Sequence, residues 1–112
     1  MLMIYGNEAQ MQATRQADFQ QMLAAYGAYT EALKKAGALI AGDPLQPSST
    51  ATTVRVAGGK TQVLNGPYAE TKEQLAGYYL IDVADLDAAL SWAARCPGAS
   101  HGVMEVRPLR QM

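Results

Sequence analysis

A chain of 112 residues with 49% hydrophobic residues and a formal net charge of -1 has the size of one domain, and it shows no basic stripe for binding nucleic acid. The single Cys96 excludes an intrachain disulfide, and with His101 as the only histidine the chain lacks the four ligands of a structural zinc site. No run approaches the roughly 20 apolar residues that cross a bilayer, and Met1 to Tyr5 lacks the basic start and long apolar core of a signal peptide, so a cytoplasmic protein without a membrane partner is expected.

Met1 to Tyr5 reads as a buried strand ended by the turn Gly6-Asn7. Glu8 to Arg15 is rich in Gln and Ala and has no clear period, so helix and loop both stay open there. From about Asp18, the residues Phe19, Met22, Leu23, Tyr26, Tyr29 and Leu33 recur at helical spacing, with Lys34 and Lys35 suited to the negative end of the helix and Gly37 as its stop. Ala38 to Ala41 is a short strand candidate closed by Gly42-Asp43-Pro44, and the stretch to Ser49 has the prolines and small polar residues of a surface connection.

Thr50 to Val56 is rich in β-branched residues, Gly58-Gly59 can adopt the positive φ of a tight turn, and Lys60 to Leu64 returns as the second arm of a hairpin. Asn65-Gly66-Pro67 breaks the pairing. Gly77 to Val83 is the strongest strand signal, with Tyr78, Leu80 and Asp82 on one face and Tyr79, Ile81 and Val83 on the other. Asp85 is a natural N-cap for a helix through Leu86, Ala89, Leu90 and Ala93 to Cys96, which Pro97-Gly98 ends. Val103 to Arg107 alternates as a final strand.

This order is two β-α-β halves, an α+β ferredoxin-like antiparallel sheet with two helices on one face. Strands that are apolar on both sides would then leave one sheet face bare, which water contact makes unfavourable, so a homodimer that covers the bare face is expected.

The segments Ala41 to Pro47, Asn65 to Leu75 and Gly77 to Asp82, with Glu105-Val106-Arg107-Pro108 at the end, resemble the YCII-related family, and more closely its DGPF branch. The eponymous motif stands here as Asn65-Gly66-Pro67-Tyr68, with Asn for Asp and Tyr for Phe. The resemblance implies a ferredoxin-like subunit paired as a dimeric α/β barrel. It also implies small lyases and isomerases as relatives, using a His on the first helix with a nearby Asp; for this chain no cofactor is expected. Tyr26 falls where that His would stand, and an unperturbed phenol, with a pKa of about 10, exchanges protons poorly at neutral pH compared with imidazole.

Asp43 can serve as a general base or a binding carboxylate; the plainer alternative is a turn residue bonded to nearby amides. Asn65 and Tyr68 can offer an amide and a hydroxyl to a ligand, or can simply belong to a rigid turn. Glu70 and Lys72 are pocket candidates in a run that otherwise reads as solvated surface. Tyr78 is a further binding candidate, since only one of Tyr78 and Tyr79 can line a given cavity. His101 sits in a connecting loop, and Cys96 reads as a small buried apolar residue instead of a nucleophile.

Two functional readings result. The first is a small-molecule site with lyase or isomerase chemistry, catalysed by Asp43 with Tyr26 and binding ligand through Asn65, Tyr68, Glu70 and Tyr78. The second is a non-catalytic regulatory module, because DGPF-type proteins resemble companions of transcription sigma factors. No metal spacing and no nucleotide-binding glycine loop occur in the sequence.

Overall fold

A computed structural model describes residues 1–111. Strand β1 (Leu2–Gly6) leads into a one-turn helix α1 (Glu8–Gln12) and the long helix α2 (Gln16–Lys35). Strand β2 (Leu39–Pro44), the hairpin strands β3 (Thr52–Ala57) and β4 (Lys60–Asn65), and β5 (Gln74–Ile81) follow. Helix α3 (Leu86–Arg95), a short α4 (Gly98–His101) and β6 (Val103–Val106) complete the chain. The main sheet is four-stranded and antiparallel in the order β2-β5-β1-β6, with β3 and β4 forming a separate two-stranded sheet. The expected ferredoxin-like α+β architecture is the one observed.

Local chemistry accounts for most boundaries. Asn7 caps α1, its Oδ1 accepting from the Gln10 amide at 3.0 Å, so the stretch left open by sequence starts as a helix. Asp85 caps α3 by accepting from the Ala88 amide at 2.8 Å. Gly58 and Gly59 take φ of 57° and 76° in the hairpin turn, a conformation that carries little strain only for glycine.

Two expected boundaries are corrected. Gly42-Asp43-Pro44 is part of β2 and not a closing turn, since Asp43 pairs with Tyr78 and Pro44 with Gly77. Proline is tolerated there because β2 is an edge strand, and the ladder continues when the Leu45 amide donates to the Ala76 carbonyl at 2.8 Å. Strand β5 also begins three residues earlier than Gly77, because Gln74 and Leu75 pair with Gly6 and Tyr5 across a bulge at Ala76.

The core lies between the sheet and α2 and α3. Leu2, Ile4 and Tyr79 from the sheet meet Tyr29 and Leu33 of α2 and Ala93 and Cys96 at the end of α3. Tyr29 packs edge-on to Tyr79 at 5.3 Å and to Trp92 at 6.0 Å between ring centroids. Its hydroxyl donates to the Trp92 carbonyl at 2.7 Å, and the hydroxyls of Thr30 and Tyr79 lie 2.8 Å apart, so the polar atoms carried into the core are satisfied. Gly42 faces the same side: a Cβ there would fall 2.5 Å from the Tyr79 ring.

Among the described residues no helix lies on the opposite face of the sheet. Its rows run across the strands: Asp43, Tyr78, Met3 and Glu105 in one, Leu75, Tyr5 and Val103 in the next. The molecule is accordingly a plate, 48 × 42 × 18 Å, with a radius of gyration of 16.0 Å. A fully compact chain of this length has about 13 Å.

Candidate functional site

The open sheet face carries a hollow of about 900 Å³. Its floor is Tyr5, Leu75 and Val103, and Leu45 and Pro47 from the β2–β3 connection with Pro67 from the β4–β5 connection form its walls. Ionisable groups stand at the rim: Lys72, Glu73 and Glu105. The size lies within the range of small-molecule sites, and the apolar floor with a few polar groups suits a ligand having a hydrophobic body and one polar or charged end.

The wall is fixed by a hydrogen-bonded latch between segments far apart in sequence. The Glu8 carboxylate accepts from the Ser48 amide at 2.6 Å and from the Ser48 hydroxyl at 2.7 Å. Gln74 Oε1 in turn accepts from the Glu8 amide at 3.1 Å, and Gln74 Nε2 donates to the Thr71 carbonyl at 2.7 Å. Hydrogen bonds to a charged acceptor are the stronger kind, so α1 holds both connecting loops against the hollow.

Glu105 has an unusual setting. Its Oε2 is buried and lies 2.7 Å from Arg107 Nη2, so the carboxylate is ion-paired with that guanidinium.

Asp43 and Tyr78 are joined on this same face. The Tyr78 hydroxyl donates to Asp43 Oδ2 at 2.8 Å, and this hydrogen bond, with the carboxylate's charge, raises the Tyr78 pKa. The pair lies in the same cross-strand row as Glu105, so it borders the hollow without lining it.

Tyr26 is placed elsewhere. It lies on the helix side of the sheet, near enough to Ile4 and Cys96 that a side chain on Gly98 would overlap its hydroxyl. Burial raises its pKa, and the neighbouring Cys96 and Tyr79 raise it further, which makes it a poorer proton-transfer group than an ordinary phenol. Asp43 and Tyr26 are therefore not brought together: the sheet separates them. Cys96 is buried and its thiol is pushed up by desolvation, as a small core residue should be. His101 is the last residue of α4 and exposed.

Asn65, Tyr68 and Glu70 gather at the hairpin base, around a smaller hollow of about 350 Å³ shared with Thr53, Arg55 and Gln62. The Arg55 guanidinium stands 5.9 Å from the Tyr68 ring centroid. The larger hollow takes Lys72, and its floor residues Tyr5, Leu75 and Val103 and the rim residue Glu105 are not candidates from sequence. The signal that could have found them is the strand alternation itself, once the face turned away from α2 and α3 is known.

Among the described residues no group of three or more His, Cys, Asp or Glu side chains is arranged to hold a metal ion, and no helix is long and apolar enough to cross a membrane. Comparison with known proteins gives two findings. The model of the YCII-related domain matches residues 1–112. An uncharacterized protein of Rhizobium meliloti (strain 1021) is 39% identical over 110 residues, which cover 96% of this chain and 89% of that protein. With the strand order, the helix-covered core and the open sheet face already in place, the full-length match means that this chain belongs to the YCII-related family.

Proposed function

We propose that the chain is a DGPF-type member of its family that binds a small, largely apolar ligand in the hollow on the open sheet face, within a dimeric α/β barrel whose second copy covers that face. The observation that carries the reading is the hollow itself: about 900 Å³ over Tyr5, Leu75 and Val103, with Glu105 at its rim and Asp43–Tyr78 beside it. Acid-base chemistry of lyase or isomerase type would fall to Asp43, an exposed carboxylate that can accept a proton, with Tyr78 orienting it through their hydrogen bond. Tyr26 has no part in this chemistry, because its hydroxyl lies on the far side of the sheet. Asn65, Tyr68 and Glu70 belong to the hairpin-base hollow and would touch only a ligand that extends beyond the main one.

A thermal-shift screen with metabolite acids, lactones and phenols tests the proposal. One chemical class should stabilise the protein saturably, by about 2.7 kcal/mol at a hundred times its Kd. The Tyr5→Ala variant should weaken that binding, and Asp43→Asn should remove turnover of any ligand that proves to be a substrate. Silence across the screen from a folded protein would overturn the pocket reading and favour the regulatory module.

A further inference from the structure

The hollow has two walls, the connections 45–51 and 66–73, and among the described residues neither contributes to the buried core. At the hairpin base the walls are tied to each other directly, the Gly66 amide donating to the Ala51 carbonyl at 2.7 Å. At their other end they meet through α1. Ser48 of the first wall donates twice to the Glu8 carboxylate. Gln74, where the second wall enters β5, accepts from the Glu8 amide and donates to the Thr71 carbonyl.

Burial points to the same residues. Ser48 is the one residue of 42–50 that is not exposed, and Glu8 is the one residue of α1. Helix α1 has a single turn and no buried residue, and it is too short to persist alone, so its docking depends on these bonds. Among the described residues no cation pairs with Glu8, and both partners of its carboxylate are on Ser48.

We infer that α1 is a strap with Glu8 as its catch: while the Glu8–Ser48 bonds are made both walls of the hollow stand in place, and when they break the two walls leave together. The inference rests on the hollow being the ligand site and adds how that site is formed and lost. Hydrogen bonds to a carboxylate are the stronger kind, whereas the walls bury little apolar surface, so this segment opens more readily than the core and does so as one unit. A ligand that touches either wall favours the closed strap, and the closed strap favours the ligand by the same factor.

The experiment is amide hydrogen exchange read by NMR on the full-length protein and its Ser48→Ala and Gln74→Ala variants, with no ligand added. Ser48→Ala removes one donor to Glu8. It should speed the Glu8 amide, which is bonded to Gln74, and the Thr50 amide, which is bonded to Pro47, by one common factor of at least three. Gln74→Ala removes the anchor at the other wall and should speed the Ser48 amide at least threefold, although the Glu8 carboxylate it bonds is untouched. Amides of α2 should keep their rates in both variants.

Acceleration confined to the wall that carries the substitution overturns the strap and leaves the ligand hollow standing. Equal acceleration throughout α2 also overturns it, because the whole fold would then be loosened. Silence in the ligand screen, with the coupling observed, overturns the ligand site and leaves the coupled walls.

Discussion

Tyr78 and Tyr79 are neighbours in the chain and belong to two different environments. Tyr79 is buried against α2, its ring edge-on to Tyr29 and its hydroxyl 2.8 Å from Thr30. Tyr78 points the other way, onto a sheet face without helices, and its hydroxyl is held by an exposed carboxylate. One face of the sheet therefore holds the core of the fold, and the other presents groups that the fold leaves uncovered. In a half-covered sheet the residues to suspect of function are those whose strand alternation takes them away from the helices.

The strongest way to test this division is to remove bulk from the covered face. Leu33 is fully buried, and Leu33→Ala should cost about 2–5 kcal/mol through lost burial and the cavity left behind. Urea unfolding should report that loss equally at low and high protein concentration, because the site lies inside one subunit. A loss that shrinks on concentrating the protein would place part of the core's stability in association.

Asp85→Ala probes neither face. It removes the side-chain acceptor for the Ala88 amide and should lower stability by about 1 kcal/mol, with no effect on ligand binding. If binding also fell, α3 would have to be coupled to the open face through the sheet.

The smallest effect at neutral pH, and the one that sharpens the comparison most, is alkaline titration. Tyr26, Tyr29 and Tyr79 all have pKa values raised above the ordinary 10.0, with burial the first cause in each. A folded-state pKa above the unfolded one means that this stabilising contribution is complete below about pH 10 and is lost as the pH rises toward the folded values. Tyrosinate absorbance from these three should therefore appear late, as the protein unfolds. Asp43→Asn should lower the Tyr78 midpoint and leave the buried group unchanged; a shift in the buried group instead would mean that the two faces are not independent.

The elements set by local chemistry could be read without the fold. The α2 periodicity, the Gly58-Gly59 turn, the Asp85 cap and the alternation through Tyr78 and Tyr79 depend on neighbours a few residues away. Glu8 was illegible for the opposite reason: its partner Ser48 lies 40 residues on, and nothing in a Gln- and Ala-rich stretch announces it. Asp43 shows both sides at once. The family resemblance marks it as a candidate, but Gly-Asp-Pro reads locally as a turn, and only pairing with β5 draws it into an edge strand within reach of the Tyr78 hydroxyl.

The amino-acid sequence by itself determined the order of the six strands and the two long helices, the ferredoxin-like class and the family, because periodicity, caps and turn residues act locally and a full-length match adds up along the chain. Tertiary structure alone decided which face of each strand is covered. That choice separated Tyr26 from Asp43, joined Asp43 to Tyr78 and made a hollow from Tyr5, Leu75 and Val103. Sequence spacing gives the alternation of side chains, but which side of the sheet receives the helices is set by long-range packing, and the site depends on that side.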